Sequence, residues 1–175
     1  MQNRKLISSE LGRVSAQQYR DLPDSGVVVV LDNIRSAHNV GSIFRSCDAF
    51  KVDRIYLCGI CAAPPSAEIH KSALGAEDVV GWEKCADTLE TVKRLADEGY
   101  TVVSVEQTSD SVSLEAFRRD PAKRYALVLG NEVDGVRQDV VDASEFSLEI
   151  PQWGTKHSLN VSVSAGIVLW AFRPE

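Results

Sequence analysis

A chain of 175 residues, 44% hydrophobic and 25% charged, can bury one substantial core but is short for two ordinary domains. No apolar run approaches the roughly 18 residues a membrane span needs, and "MQNRKLISSELGRVS" at the N-terminus lacks the apolar stretch of a secretory signal, so a cytoplasmic location is expected. The formal net charge of −6 argues against nonspecific coating of nucleic acid, yet it leaves room for a local basic patch.

Residues 1–26 read as a polar helical lead-in ending at the turn signal "LPDSG". "VVVVLD" (27–32) predicts a buried strand. A helix is expected near Asn39, an N-cap residue type, because Val40, Ile43, Phe44 and Cys47 recur at helical spacing. "RIYLCG" (54–59) predicts another strand and "AEIHKSALGA" a short helix. "DTLETVKRLADEG" (87–99) has the plainest helical pattern: Leu89, Val92 and Leu95 share one face, and Gly99 stands where a helix ends. "YTVVSVE" (100–106), "YALVLGN" (125–131) and "FSLEI" (146–150) predict further strands. This alternation predicts an α/β domain over 27–175, with a mainly parallel sheet flanked by helices.

In such sheets ligands sit beyond the carboxyl ends of the strands, and polar clusters lie there at 33–45, 130–135 and 151–160. The first, in "DNIRSAHNVGSIFRSCDA", mixes side-chain amides with cations. Arg45 follows Gly41 by one helical turn, so its guanidinium is expected to overhang the helix start with no β-carbon in the way. Phosphate and ribose oxygens suit that planar fork, and a salt-bridged surface arginine is the plainer alternative. In the second, "LVLGNEVDGV", Gly130 and Gly135 permit close backbone approach while Glu132 and Asp134 add carboxylates. A polar turn between strand and helix is the plainer alternative, and the spacing is not that of a phosphate loop.

The third cluster is "IPQWGTKHSLNVSVSAG" (150–166), in which Pro151 and Gly154 bracket a loop and Ser158 or Asn160 can cap a following helix. Read as a helix, it sets a small-residue stripe (Ser158, Ser162, Gly166) beside an apolar one (Leu159, Val163, Ile167, Trp170), a face suited to close packing. Its period-two alternation leaves a strand as the competitor. Charge is uneven: residues 130–149 carry six acids against one arginine, and 33–54 carry four bases against two acids.

The four cysteines are expected to be reduced. Cys58-Gly-Ile-Cys61 is at most half a zinc site, and "AAPP" after it does not open the helix a redox pair normally starts, so structural cysteines and no metal are expected. His38 and His70 read as polar surface.

Taken in order, the three clusters resemble the signature motifs of the SpoU/TrmH family, SPOUT-class RNA methyltransferases that methylate a ribose 2′-hydroxyl from S-adenosylmethionine. The resemblance runs over roughly residues 27 to 172. It implies a C-terminal trefoil knot, a device otherwise almost absent from proteins, and a homodimer packed through the knotted elements. It implies that Val105, Gly130, Ile150, Ser158 and Leu159 hold the methyl donor, with S-adenosylhomocysteine as product. It assigns catalytic positions to Arg45, Asn39, Glu132, Ser158 and Asn160. A guanidinium stays protonated in proteins, so Arg45 is expected to grip phosphate and ribose and align the hydroxyl, with the other four holding it in register.

Trp153 departs from the smaller apolar residue that many members carry after "IP". With no separate RNA-binding domain in view, RNA is expected at a small patch of Arg35, Arg45, Arg54, Lys71 and Lys156. Transfer RNA is favoured over ribosomal RNA by the compact build, and no membrane partner is expected. The competing readings are a non-catalytic RNA-binding protein that retains the fold and methylation of a base nitrogen.

Overall fold

Helices and strands alternate along residues 3–174, the part of the chain that the computed structural model describes. The first two residues of the lead-in and the last of the 27–175 domain lie outside them. The lead-in is mostly irregular rather than helical, with a 3-10 turn at Ser8–Glu10 and one short helix, α1 (Ala16–Asp21). A reciprocal box between Ser15 and Gln18 starts α1. Tyr19 anchors it: the ring is buried and its hydroxyl donates to the carbonyls of Cys47 and Val52 at 3.5 and 3.4 Å.

The domain then runs β1 (Val27–Asp32), α2 (Ala37–Ala49), β2 (Arg54–Cys58), α3 (Ala67–Ala73), β3 (Gly81–Cys85), α4 (Thr88–Asp97) and β4 (Tyr100–Val105). It continues with β5 (Val112–Ser113), β6 (Arg124–Leu129), α5 (Gln138–Asp142), β7 (Phe146–Glu149) and α6 (Val161–Phe172). Helix α2 begins earlier than its apolar periodicity suggests. Ser36, not Asn39, is its cap, accepting from the Asn39 N–H, which frees the Asn39 side chain for other work. Helix α3 stops at Ala73 because Leu74 and Gly75 take left-handed φ angles of 55° and 92°. The C-terminal segment is a helix, capped by Asn160, whose side chain accepts from the Ser162 N–H.

All pairings in the seven-stranded sheet are parallel, in the order β3-β2-β1-β6-β4-β7-β5. Every strand therefore delivers its carboxyl end to the same edge. Residues alternate between two apolar layers: Val27, Val29 and Leu31 pack with α2, α3 and α6, while Val28 and Val30 pack with Val92 and Leu95 of α4 and Val140 of α5. Coverage on both faces explains why the central strands read as unbroken apolar runs.

Two contacts set the position of α2. Gly41 faces α3, not open space: a β-carbon there would meet Ser72 Oγ at 2.1 Å and the Ile69 carbonyl oxygen at 2.4 Å. Its role is close helix packing, so the expectation that it clears room for Arg45 does not hold. On the other side Gly166 of α6 lies beside Ser46 of α2, its β-carbon position 3.9 Å from Ser46 Oγ. Helix α6 buries Ala165, Val168, Leu169 and Phe172 and leaves Val163, Ile167 and Trp170 exposed. No helix among the described residues is long and apolar enough to cross a membrane.

Candidate active site

The loops that leave β4, β6 and β7 enclose a cavity of about 740 Å³ at the carboxyl edge of the sheet, within the range of roughly 300–1,000 Å³ usual for cofactor sites. Gly130, directly after β6, approaches its own loop so closely that a β-carbon would stand 2.2 Å from both Gly135 C and Val136 N. Gly135 has φ 69°, and a β-carbon there would meet Glu106 Oε2 at 2.2 Å. Asn131 folds the turn between the two glycines: its Oδ1 accepts from the Val133 N–H at 2.8 Å and its Nδ2 donates to the Asn33 carbonyl at 2.7 Å. Glu106 closes the loop by accepting the Val136 N–H at 3.0 Å.

Glu132 reaches from this turn to the start of α2. Its carboxylate accepts the N–H groups of Arg35 and Ser36 at 2.9 and 3.0 Å, and the Asn39 amide at 2.9 Å. Partial desolvation raises its pKa, but the hydrogen bonds from Arg35, Asn39 and Ser36 outweigh it and hold the group below the usual carboxylate value. Asn160 Nδ2 in turn donates to Asn39 Oδ1 at 3.2 Å. Glu132, Asn39 and Asn160 thus form one polar chain that joins all three sequence clusters.

Asp32 builds a second junction that the sequence did not mark as important. Fully buried at the end of β1, it accepts from Thr88 Oγ1 at 2.6 Å, Asn33 Nδ2 at 2.8 Å and the Arg137 N–H at 2.9 Å. Arg137 itself pairs with Asp87 at 2.8 Å and Asp139 at 2.6 Å. The loop after β6 is therefore fastened at both ends.

All five residues expected to hold the donor, Val105, Gly130, Ile150, Ser158 and Leu159, line the cavity. The backbone N–H and C=O groups of Gly130, Ile150, Ser158 and Leu159 enter no hydrogen bond among the described residues. They face a chamber whose wall carries Glu106, Glu132, Asp134 and Glu149 but no lysine or arginine. Free edge-on backbone groups, apolar walls from Leu129 and Leu148, and a surplus of carboxylates suit an adenosine joined to a cationic centre. Glu106 and Gln107 were missed in the sequence, although their place immediately after a predicted strand was a usable signal. Gln107 Nε2 donates to the His157 carbonyl at 2.8 Å and ties the β4 loop to the loop after β7.

The cationic residues are less concentrated than expected. Arg45 is exposed on α2, outside the cavity lining, and among the described residues it makes no hydrogen bond or ion pair with Asn39, Glu132, Ser158 or Asn160. Glu132, Asn39 and Asn160 hold one another and the loops and do not hold Arg45; Ser158 lines the cavity and enters no hydrogen bond among the described residues. Arg35 and Lys156 are exposed on loops at the carboxyl edge. Arg54 begins β2 and so stands at the opposite edge, 3.9 Å from Glu83. Lys71 is exposed on α3, so the five do not form one patch.

The cysteines are free. Cys61 is structural, its sulfur accepting the Ile34 N–H at 3.1 Å and donating to the Leu31 carbonyl at 3.4 Å. Burial pushes the Cys58 and Cys61 thiols up to about 12 and about 11. His70 Nδ1 lies 2.6 Å from Glu77 Oε1. No group of three or more metal-ligand side chains is assembled among the described residues.

Residues 26–170 match the SpoU rRNA Methylase family. The chain belongs to that family. It is 35% identical over 153 residues to the 23S rRNA (guanosine-2'-O-)-methyltransferase RlmB of Nitrosomonas europaea, covering 85% of this chain and 56% of that one. It is 32% identical over 145 residues to the tRNA (guanosine(18)-2'-O)-methyltransferase of Aquifex aeolicus, covering 82% and 67%. The SpoU fold is equally plain in solved structures. An AdoMet-bound rRNA methyltransferase from Sinorhizobium meliloti superposes with a TM-score of 0.79 at 26% identity, over 88% of this chain and 59% of that one. The A. aeolicus TrmH/SpoU tRNA modifying enzyme gives 0.78 at 27% identity, over 90% and 80%. This SpoU chain thus spans between about half and two thirds of the curated relatives' length, 56% and 67% for the two named.

Proposed function

We propose that the protein transfers a methyl group from S-adenosylmethionine to a ribose 2′-hydroxyl of RNA. The observation that carries this is the polar chain Glu132–Asn39–Asn160 along a carboxylate-rich cavity, built from the three loops at one edge of a parallel sheet. The donor supplies an electrophilic methyl group on a sulfonium. Val105, Gly130, Ile150, Ser158 and Leu159 bind it through backbone and apolar contacts, and the enclosing loops exclude water. Asn39, Glu132 and Asn160 fix the loop geometry, and Ser158 at the cavity wall orients the incoming ribose.

Arg45 grips phosphate and ribose and stabilises charge as the hydroxyl proton passes to an oxygen of the substrate phosphate that it holds. Because it stands outside its own cavity, on the helix that packs against α6, a second copy of the chain is the simplest way to bring it over a donor. A homodimer is supported independently by the exposed stripe of Val163, Ile167 and Trp170, at 50%, 37% and 58% exposure. A trefoil knot is part of the same reading; in line with it, β7 lies between β4 and β5 while α6 packs on α2, so residues 150–160 lead from that side of the sheet back toward α2. Residues 27–175 form the catalytic domain behind a 1–26 lead-in, the location is cytoplasmic, and Arg35 and Lys156 meet the RNA backbone. Relatives named for both tRNA and 23S rRNA leave transfer RNA as the first substrate to try.

The test is to incubate the protein with labelled S-adenosylmethionine and unfractionated tRNA or rRNA, then digest the RNA and weigh the nucleosides. A ribose-methylated nucleoside is expected, and it should vanish with Arg45→Ala. A base-methylated nucleoside overturns the reading. Donor binding without transfer to either RNA favours the non-catalytic alternative, to which the isolation of Arg45 from the polar chain lends some weight.

A further inference from the structure

Trp153 is 84% exposed, the most exposed of the large hydrophobic side chains among the described residues. It lies in a loop whose residues 153–160 are all exposed, and its immediate neighbour Gln152 lines the cavity while Trp153 does not. The loop is nevertheless positioned, because Gln107 Nε2 holds the His157 carbonyl at 2.8 Å. Around Gly154 there is open space, with nothing within 4 Å of its β-carbon position. Among the described residues the Trp153 ring enters no aromatic pair or cation–π contact.

The setting differs from that of Trp170, the other well-exposed indole. Trp170 already has its ring partnered, with Phe50 edge-on at 6.0 Å and the Arg173 guanidinium 4.0 Å from its centroid, and it shares its face with Val163 and Ile167, the surroundings of a protein contact. Trp153 is followed by Gly154, Thr155, Lys156 and His157, a polar and cationic run. An isolated flat apolar surface among hydrogen-bonding and cationic groups, beside a cavity, matches what an unpaired base and its phosphate require.

We propose that Trp153 is a stacking platform for an unpaired RNA base next to the nucleotide being modified, with Lys156 meeting the adjoining phosphate. This rests on the RNA-directed reading above, and it makes the loop after β7 two-sided: Gln152, His157 and Ser158 face the donor cavity, Trp153 faces the substrate.

The experiment is equilibrium binding of a short single-stranded RNA of mixed sequence, and of an abasic strand of equal length, to wild type, Trp153→Ala and Trp153→Phe. Trp153→Ala should weaken RNA binding roughly 5- to 150-fold, the range for loss of one stacked base, and Trp153→Phe should restore most of it. The abasic strand should bind wild type and Trp153→Ala alike, and S-adenosylmethionine affinity should not move. Undiminished RNA binding by Trp153→Ala overturns the proposal, as does an equal loss for the abasic strand. A changed sedimentation coefficient for Trp153→Ala also overturns it, in favour of a subunit contact. The two readings fail separately: wild type that binds RNA without methylating it defeats methyl transfer and leaves stacking intact, whereas transfer unaltered by Trp153→Ala, with unaltered RNA affinity, defeats stacking alone.

Discussion

Asn39 Nδ2 donates to Glu132 Oε1 at 2.9 Å across 93 residues of chain. The same carboxylate accepts two backbone N–H groups at the start of α2, where a negative charge also meets the positive end of the helix dipole. One ionised group therefore ties the loop after β6 to the helix after β1, beside the tethers from Asn131 to Asn33 and from the Arg137 N–H to Asp32. Its charge contributes to the spacing of the two and so to one wall of the cavity.

Glu132 should make the protein sensitive to acid. Its folded pKa lies below the ordinary carboxylate value, so its contribution is fully present above that value and is lost as pH falls through the lower, folded one. Glu132→Gln should reduce stability near neutral pH by about 0.5–1 kcal/mol, a figure kept small because the residue is exposed to water. It should also flatten the acid limb of the stability curve. Thermal melts of both proteins from neutral pH downwards measure this, and parallel curves would count against the assignment.

Two glycines at the carboxyl edge of the sheet should respond differently. Gly130→Ala places a methyl group 2.2 Å from backbone atoms of Gly135 and Val136, and backbone cannot swing aside as a flexible side chain can. Overpacking of this kind costs about 1–3 kcal/mol, and donor binding measured by calorimetry should fall with it. Gly154→Ala meets nothing within 4 Å and should leave both stability and donor affinity unchanged.

Asp32 should matter more to stability than its place outside the cavity suggests. Asp32→Ala strips a common acceptor from Thr88, Asn33 and the Arg137 N–H, and each buried group left unsatisfied costs about 1–3 kcal/mol. Chemical denaturation should show a loss of several kcal/mol. Asp32→Asn should fall between, since its amide retains one acceptor oxygen and turns a donor toward donors.

Methyl transfer to RNA should weaken steeply with salt. Phosphate contacts release counterions, and three of them (Arg35, Arg45 and Lys156) would give a log–log slope of about −2 for single strands, roughly 40-fold between about 50 and 300 mM. Binding titrations at several salt concentrations provide the slope. A flat response would remove these side chains from the RNA contact.

Much of the scaffold was legible because its strands are buried on both faces. Val27–Leu31 and Tyr125–Leu129 are buried throughout, so the sequence there carries almost no polar noise. Strand β3 was not legible: it lies at the sheet edge, and Glu83 and Lys84 break any apolar run. With five residues, α5 completes too little of a turn pattern to be read. In the site, Asn39, Glu132 and Asn160 could be named but their partners could not, because hydrogen bonds spanning 93 and 121 residues leave no local signal. Arg45 was assigned to that group by resemblance, and its exposure on α2 without a bond to the group is a property of how α2 turns its faces. The Asp32 junction was hidden for a similar reason: a lone acid ending an apolar strand looks like solvent-facing punctuation until Thr88 and Arg137 arrive around it.

The missing side chain at Gly41 has a reach beyond helix packing. With Ile69 and Ser72 lodged against its α-carbon, α2 has no freedom to slide along α3, and Asn39 sits only two residues away. The dimensions of the donor chamber are thus gauged from outside it. A single methyl group added at Gly41 would act as a shim, tilting α2 and pulling Asn39 off both Glu132 and Asn160 without touching any atom of the chamber wall.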